Sequence, residues 1–185
     1  VTVERLPEKA ERVGNLPAGW TVERNPAQGF SLGAPPGWRA GGDCLRGGAK
    51  PGQVTILCSP DKLVTMSVAA DRSDDALELS AEEFAIQTAE SLADRYDDLR
   101  RRPPRPVRGH YEGAVVKARG EAAATGVDQN VEVVVLRREG AATFTAVIAA
   151  NADKPTEPAV GLAERALSTL RSKPIPEPAG GPPPG

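Results

Sequence analysis

The sequence predicts an α+β domain: a mostly antiparallel β-sheet of about six to seven strands with two covering helices, in the order ββββαβββα. Three observations predict it. Short runs alternating apolar and polar residues outnumber the stretches with helical spacing. Most of those runs are joined by brief turns rather than long crossovers, which favours antiparallel pairing. Aromatic residues make up only 4% of the 185 residues against 39% hydrophobic, so the core must be a thin layer of Val, Leu, Ile and Ala.

Trp20–Val22 and Phe30–Leu32 alternate and read as strands, as do residues 54–58 and 64–68, which flank the turn Ser59-Pro60-Asp61-Lys62. Ser80 and Glu83 form a capping box that opens a helix. Behind it Phe84, Thr88, Leu92, Tyr96 and Leu99 fall on one stripe, with Ala81, Ala85 and Ala89 beside it. Acidic residues at the start and Arg95 and Arg100–Arg102 at the end suit the helix dipole, and Pro103-Pro104 stops the helix. Residues 114–118 follow as a strand with a wet opposite face. Residues 131–136 and 143–148 then flank the turn Arg137-Arg138-Glu139-Gly140. A second helix starts at Thr156 as N-cap, tolerates Pro158 in its first turn, buries Val160, Ala163, Leu167 and Leu170, and ends at Lys173-Pro174.

Residues 1–16 are charged without sustained alternation and read as a tether or leader, and 17–173 as the single domain. The stretch 174–185, rich in Pro and Gly, lacks backbone donors and carries a high ordering entropy, so it is expected to be disordered or PPII-like. No apolar stretch approaches the ~20 residues needed to cross a bilayer, and none forms a signal-peptide core. A net charge of −2 argues against a nucleic-acid binder, and one His with two Cys rules out a multi-ligand His/Cys metal site. No cofactor is implied.

Cys44 and Cys58 are the only thiols. The Gly- and Pro-rich segment 47–53 can reverse the chain and bring them together. A disulfide closing that loop would stabilise the fold by ~3 kcal/mol in the chain-entropy model. It would also imply an oxidising, extracytoplasmic compartment. Two buried free thiols in the cytosol are the alternative reading.

With these elements in order, the stretch Asn25 to Trp38, with Gly29-Phe30-Ser31-Leu32-Gly33 running into Pro35-Pro36-Gly37-Trp38, resembles the opening of PsbP-like domains. The sequence of hairpin, long helix, three-strand meander and terminal helix is similar to that fold over about residues 17–172. Related exported domains are the LpqN-like and DcrB-like lipoproteins and extracellular regions of receptor Ser/Thr kinases from high-GC Gram-positive bacteria. The resemblance implies a module that works by contact rather than a catalyst.

Several patterns bear on chemistry. Gly29-Phe30-Ser31-Leu32-Gly33 matches G-x-S-x-G, yet a nucleophile elbow needs a helix directly after the Ser, and Pro35-Pro36-Gly37 cannot open one. Ser31 reads instead as the outward residue between inward Phe30 and Leu32. Asp71, Ser73, Asp75 and Glu82 resemble a calcium loop, but Ala76 stands where the sharp turn needs Gly. The most distinctive surface feature is the run Arg100, Arg101, Arg102, Arg105 and Arg108, five arginines within nine residues, interleaved with Pro103, Pro104 and Pro106. Arginine forks bind phosphate or carboxylate bidentately, so an envelope polyanion or anionic lipid surface is one expected partner, with His110 beside the run. Ten acidic residues between 71 and 98 can neutralise part of it, which favours a solvated face.

The reading that results is a non-catalytic extracytoplasmic binding or sensing domain, membrane-tethered or secreted, such as the ectodomain of a receptor Ser/Thr kinase or part of a lipoprotein. The alternative is a structural or assembly partner in the cell envelope, binding a protein or polyanion through a sheet face or the Arg-rich loop.

Overall fold

The computed structural model describes residues 4–5, 16–44 and 54–172. In chain order these form β1 (Glu4–Arg5), β2 (Thr21–Asn25), β3 (Phe30–Ala34), β4 (Arg39–Ala40), β5 (Thr55–Cys58), β6 (Val64–Asp71), α1 (Asp75–Glu78), α2 (Ala81–Ser91), β7 (Tyr96–Arg101), β8 (Arg105–Arg108), β9 (Glu112–Ala122), β10 (Val127–Arg137), β11 (Thr143–Asn151), α3 (Glu157–Ser168) and β12 (Arg171–Ser172). The class is the expected α+β, with a longer sheet than expected. The order β1-β8-β9-β10-β11-β6-β5-β4 describes a nine-stranded sheet once β7 is added beside β9. Every pairing in it is antiparallel except β1 with β8. A second sheet runs β12-β3-β2. Of the expected tether, Glu4–Arg5 pairs with β8 and Leu16 is described; the rest of 1–16, the loop 47–53 and the tail 174–185 lie outside the described residues.

The central strands carry apolar residues on both faces, because both faces are covered. On one, α2 sets Ala85, Ala89 and Leu92 against Ala114, Val116, Val131, Val133 and Val135. On the other, α3 and β3 bury Phe30, Leu32, Ala163, Ala166 and Leu167 against Val115, Val134, Leu136, Phe144 and Ile148. Small alanines on both helices let them sit close to a Val-rich sheet, which is how so few aromatics suffice. Phe30, Phe144 and Tyr111 supply the edge-to-face ring contacts, with centroids 5.6 and 5.8 Å apart. Gly113 is needed where β9 passes β10: a Cβ there would stand 1.7 Å from the Val135 carbonyl oxygen.

The capping box forms as expected. Ser80 Oγ accepts from the Glu83 amide at 3.1 Å, and the Glu83 carboxylate accepts from the Ser80 amide at 2.8 Å. The helix it opens is shorter than the stripe predicted. It ends at Ser91, a 3-10 turn takes Ala93–Arg95, and Tyr96–Arg101 is strand β7. The reason lies in a bulge. Tyr96 pairs with Ala122 and Arg101 with Ala118, but the register shifts between Asp97 and Arg100, where Asp98 has φ 52°. That extra residue puts Tyr96 and Leu99, three apart, on the same face, and both pack under α2. Burial at a spacing of three therefore mimicked helical periodicity.

The last helix also ends early, at Ser168, with Thr169 as C-cap. The buried Thr169 hydroxyl donates to the Ala166 carbonyl and accepts from the Gly33 amide, both at 2.6 Å, so the chain leaves the helix and docks on β3 as β12. At the helix start Thr156 makes no side-chain cap; its hydroxyl donates to the Asn151 carbonyl at 3.4 Å.

Candidate functional site

The Arg-rich segment forms strands β7 and β8 of the main sheet, not a loop after a helix. β8 pairs with the first part of β9 and β7 with the last part, on the same side of β9, and the Arg102 amide bonds the Lys117 carbonyl between them at 2.7 Å. Strand β1 pairs with the outer side of β8 at Val107 and Arg108, so the open edge here is β7, where Arg100 and Arg101 and the Pro103-Pro104 that follows discourage a further strand. Residues paired directly across strands share a face. Arg100 pairs with Arg119 and Arg105 with Val115, both on the α3 face, and Arg102 joins Lys117 there. Arg101 pairs with Ala118 and Arg108 with Glu112 on the α2 face. The five arginines are thus divided between two faces. Arg100 Nε reaches Asp98 at 3.0 Å and Arg101 reaches Glu90 at 3.1 Å; such exposed pairs each contribute only ~0–1 kcal/mol.

The α3 face changes character along β9 and β10. Val115 pairs with Val134 beneath the helix layer; then Lys117 meets Glu132 and Arg119 meets Asn130. The polar pairs share a cleft with the first turns of α3. Between its first turns and the edge strand lies a cleft of about 440 Å³. Arg100, Arg102, Lys117 and Arg119 bring positive charge to its walls, and Glu132, Glu157 and Glu164 bring negative charge; Val160, Gly161 and Ala150 supply apolar contact. Lys117 Nζ sits 3.4 Å from Glu132. Arg119 Nε bonds Asp128 at 2.9 Å and holds that carboxyl below the usual carboxylate range. Of the cleft residues, only Arg100 and Arg102 are binding candidates from sequence. A signal for four of the others is present: polar side chains at 117 and 119 continue the phase of Val115, and those at 132 and 130 that of Val134.

His110 lies apart from the arginine run. Its Nε2 is 2.9 Å from Arg138 Nη1 and 3.3 Å from Arg171 Nη1, so it accepts from guanidinium as a neutral ring. Burial first, then the charges of Arg138 and Arg171, push its pKa below the ordinary value. Ser31 lies on β3 with Phe30 and Leu32 buried on either side, as expected, and β3 runs into a Pro35–Trp38 turn rather than a helix. Asp71 closes a turn by accepting from the Ser73 amide and hydroxyl at 2.8 and 2.6 Å, and Glu82 lies in the first turn of α2. Among the described residues no three His, Cys, Asp or Glu side chains converge as a metal site would need.

Cys44 and Cys58 are joined in a disulfide, with Cα atoms 5.5 Å apart. Arg39 on β4 pairs directly with Cys58 on β5, and the 3-10 turn Gly41–Cys44 carries the second sulfur back onto it. The bond points to an oxidising, extracytoplasmic location. Among the described residues no helix is long and apolar enough to cross a membrane.

No protein-family model matches the chain, and no curated protein matches its sequence. Solved structures do match. The cyanobacterial PsbP (CyanoP) of Synechocystis sp. PCC 6803 superposes with a TM-score of 0.54 at 14% identity, over 86% of this chain and 96% of that one. The Ran-binding protein Mog1p of Saccharomyces cerevisiae gives 0.52 at 10% identity, over 83% and 95%. A protein of Bacteroides thetaiotaomicron gives 0.53 at 16% identity over 82% of this chain, which spans about half, 48%, of that protein. The fold is PsbP/Mog1-like, as the opening motif and element order imply.

Proposed function

We propose that this chain is a non-catalytic extracytoplasmic binding domain whose ligand sits in the cleft between α3 and the arginine-bearing edge strand. The observation that supports the reading is the abrupt change on one sheet face, from Val115 paired with Val134 to Lys117 paired with Glu132, beside a cleft of about 440 Å³ lined by the first turns of α3. A floor and walls carrying both signs of charge around a small apolar strip suit a ligand that itself carries amines and carboxylates, such as a short peptide of the cell envelope. A uniform polyanion would meet Glu132, Glu157 and Glu164 as well as the arginines, so the polyanion reading is the weaker one. Tethering at the membrane, as a receptor kinase ectodomain or a lipoprotein, would place the cleft where envelope fragments are found.

The test is a thermal-shift screen with soluble cell-wall stem peptides, glycan fragments and polyphosphate, run on the native chain and on Arg102→Ser/Glu157→Gln. Both altered residues are exposed and line the cleft, so folding should be preserved. The reading expects stabilisation by a peptide fragment and its loss in the double variant. Stabilisation by polyphosphate alone, or by a peptide equally in both proteins, contradicts it.

A further inference from the structure

The smaller sheet carries a second arrangement. Arg24 pairs directly with Ser31 from β2, and Arg171 pairs with Ser31 from β12. The three residues therefore form one cross-strand row, and since Phe30 and Leu32 point into the core, the row faces outward. Strands ~4.8 Å apart put the two arginine backbones roughly 10 Å from each other, with the serine hydroxyl between them. The row therefore brings a cation to each side of a hydroxyl. It borders a cleft of about 320 Å³, whose lining includes Pro26, Gly29 and Ser172 and, among the described residues, no carboxylate. Neither the Arg24 guanidinium nor the Ser31 hydroxyl makes a hydrogen bond or ion pair among the described residues. Arg171 leans on His110 Nε2 at 3.3 Å, and Arg138 reaches the same nitrogen at 2.9 Å, which gathers a third guanidinium behind the row.

We propose that this row is a binding site for a phosphate group, gripped between Arg24 and Arg171 with the Ser31 hydroxyl donating from the floor. Two guanidinium groups, one from each neighbouring strand, with a hydroxyl between them can present donors from three directions. A tetrahedral oxyanion can accept from all three, whereas the two oxygens of a carboxylate are saturated by one fork. The site lies on a different sheet from the cleft beside α3, so either can fail without the other.

The experiment is a titration of the full chain with inorganic phosphate at constant ionic strength maintained with chloride, followed by calorimetry and by amide chemical shifts. Saturable binding is expected, with the largest shifts on β2, β3 and β12. Arg24→Gln and Ser31→Ala should each weaken it, by about tenfold or more for the guanidinium, with the rest of the spectrum unchanged. Arg102→Ser/Glu157→Gln should bind like the native chain. Shifts reproduced by chloride, acetate binding as tightly as phosphate, or Arg24→Gln titrating like the native chain would overturn the proposal. Glycerol phosphate in solution and vesicles containing phosphatidic acid then separate the sources. Loss with Arg24→Gln in the first arm alone identifies a soluble phosphomonoester, and loss in both identifies a lipid headgroup.

Discussion

Breaking the bond between Cys44 and Cys58 should lower stability without unfolding the sheet. The two residues are separated by 14 positions, and a loop of that size loses ~3 kcal/mol of denatured-state constraint when opened. Cys58 is fully buried on β5 while Cys44 is only partly so, so Cys44→Ser leaves the buried sulfur in place as a free thiol, a group cores tolerate. For a domain of this size each kcal/mol moves the midpoint by ~2–4 °C, so the variant and the reduced native protein should both melt roughly 6–12 °C lower. Urea denaturation with and without reductant gives the same difference as free energy, and intact mass confirms the redox state of each sample. Should the reduced protein, its bond verifiably open, melt with the oxidised one, the loop-constraint reasoning is wrong. A loss far beyond this range would mean that the bond holds β4 and β5 together and not merely the denatured chain.

Two further perturbations test other parts of the packing. Thr143 is 2% exposed and its hydroxyl finds no partner among the described residues, so Thr143→Val should be neutral or stabilising by up to about 1–2 kcal/mol in urea melts; a clear loss would reveal a hidden partner. His110 has its pKa depressed in the fold by burial and by Arg138 and Arg171, so the unfolded chain binds the proton more readily and stability should fall as pH drops below about 6.5. His110→Gln should flatten that segment of the stability–pH profile above the range where carboxylates titrate, and an unchanged slope would refute the assignment.

The strands of the meander were legible because one period governs them. Residues 114–118, 131–136 and 143–148 all lie within the longest strands, which extend further at both ends or at one. The capping box named its helix start for a local reason, two reciprocal bonds within four residues. The end of that helix was not legible, because Tyr96 and Leu99 bury against the same layer from a bulged strand as they would from a helix. The cysteine pair was readable from spacing, though among the described residues it is β4, two residues long, that makes the approach by setting Arg39 opposite Cys58. Both candidate sites depend on partners distant in sequence. Arg24, Ser31 and Arg171 become neighbours only when β12 returns to β3, and Lys117 shares a cleft with Glu157 and Val160 only when α3 packs back beside the sheet. Element order says nothing about either meeting.

Ligand engagement in the cleft beside α3 is tested most directly by amide chemical-shift mapping of the stem peptide that scores in the thermal-shift screen. The prediction is that shifts concentrate at Lys117, Arg119, Asn130, Val160 and Gly161, around one cleft. Shifts confined to α2, or to the opposite side of the edge at Arg101 and Arg108, would contradict it.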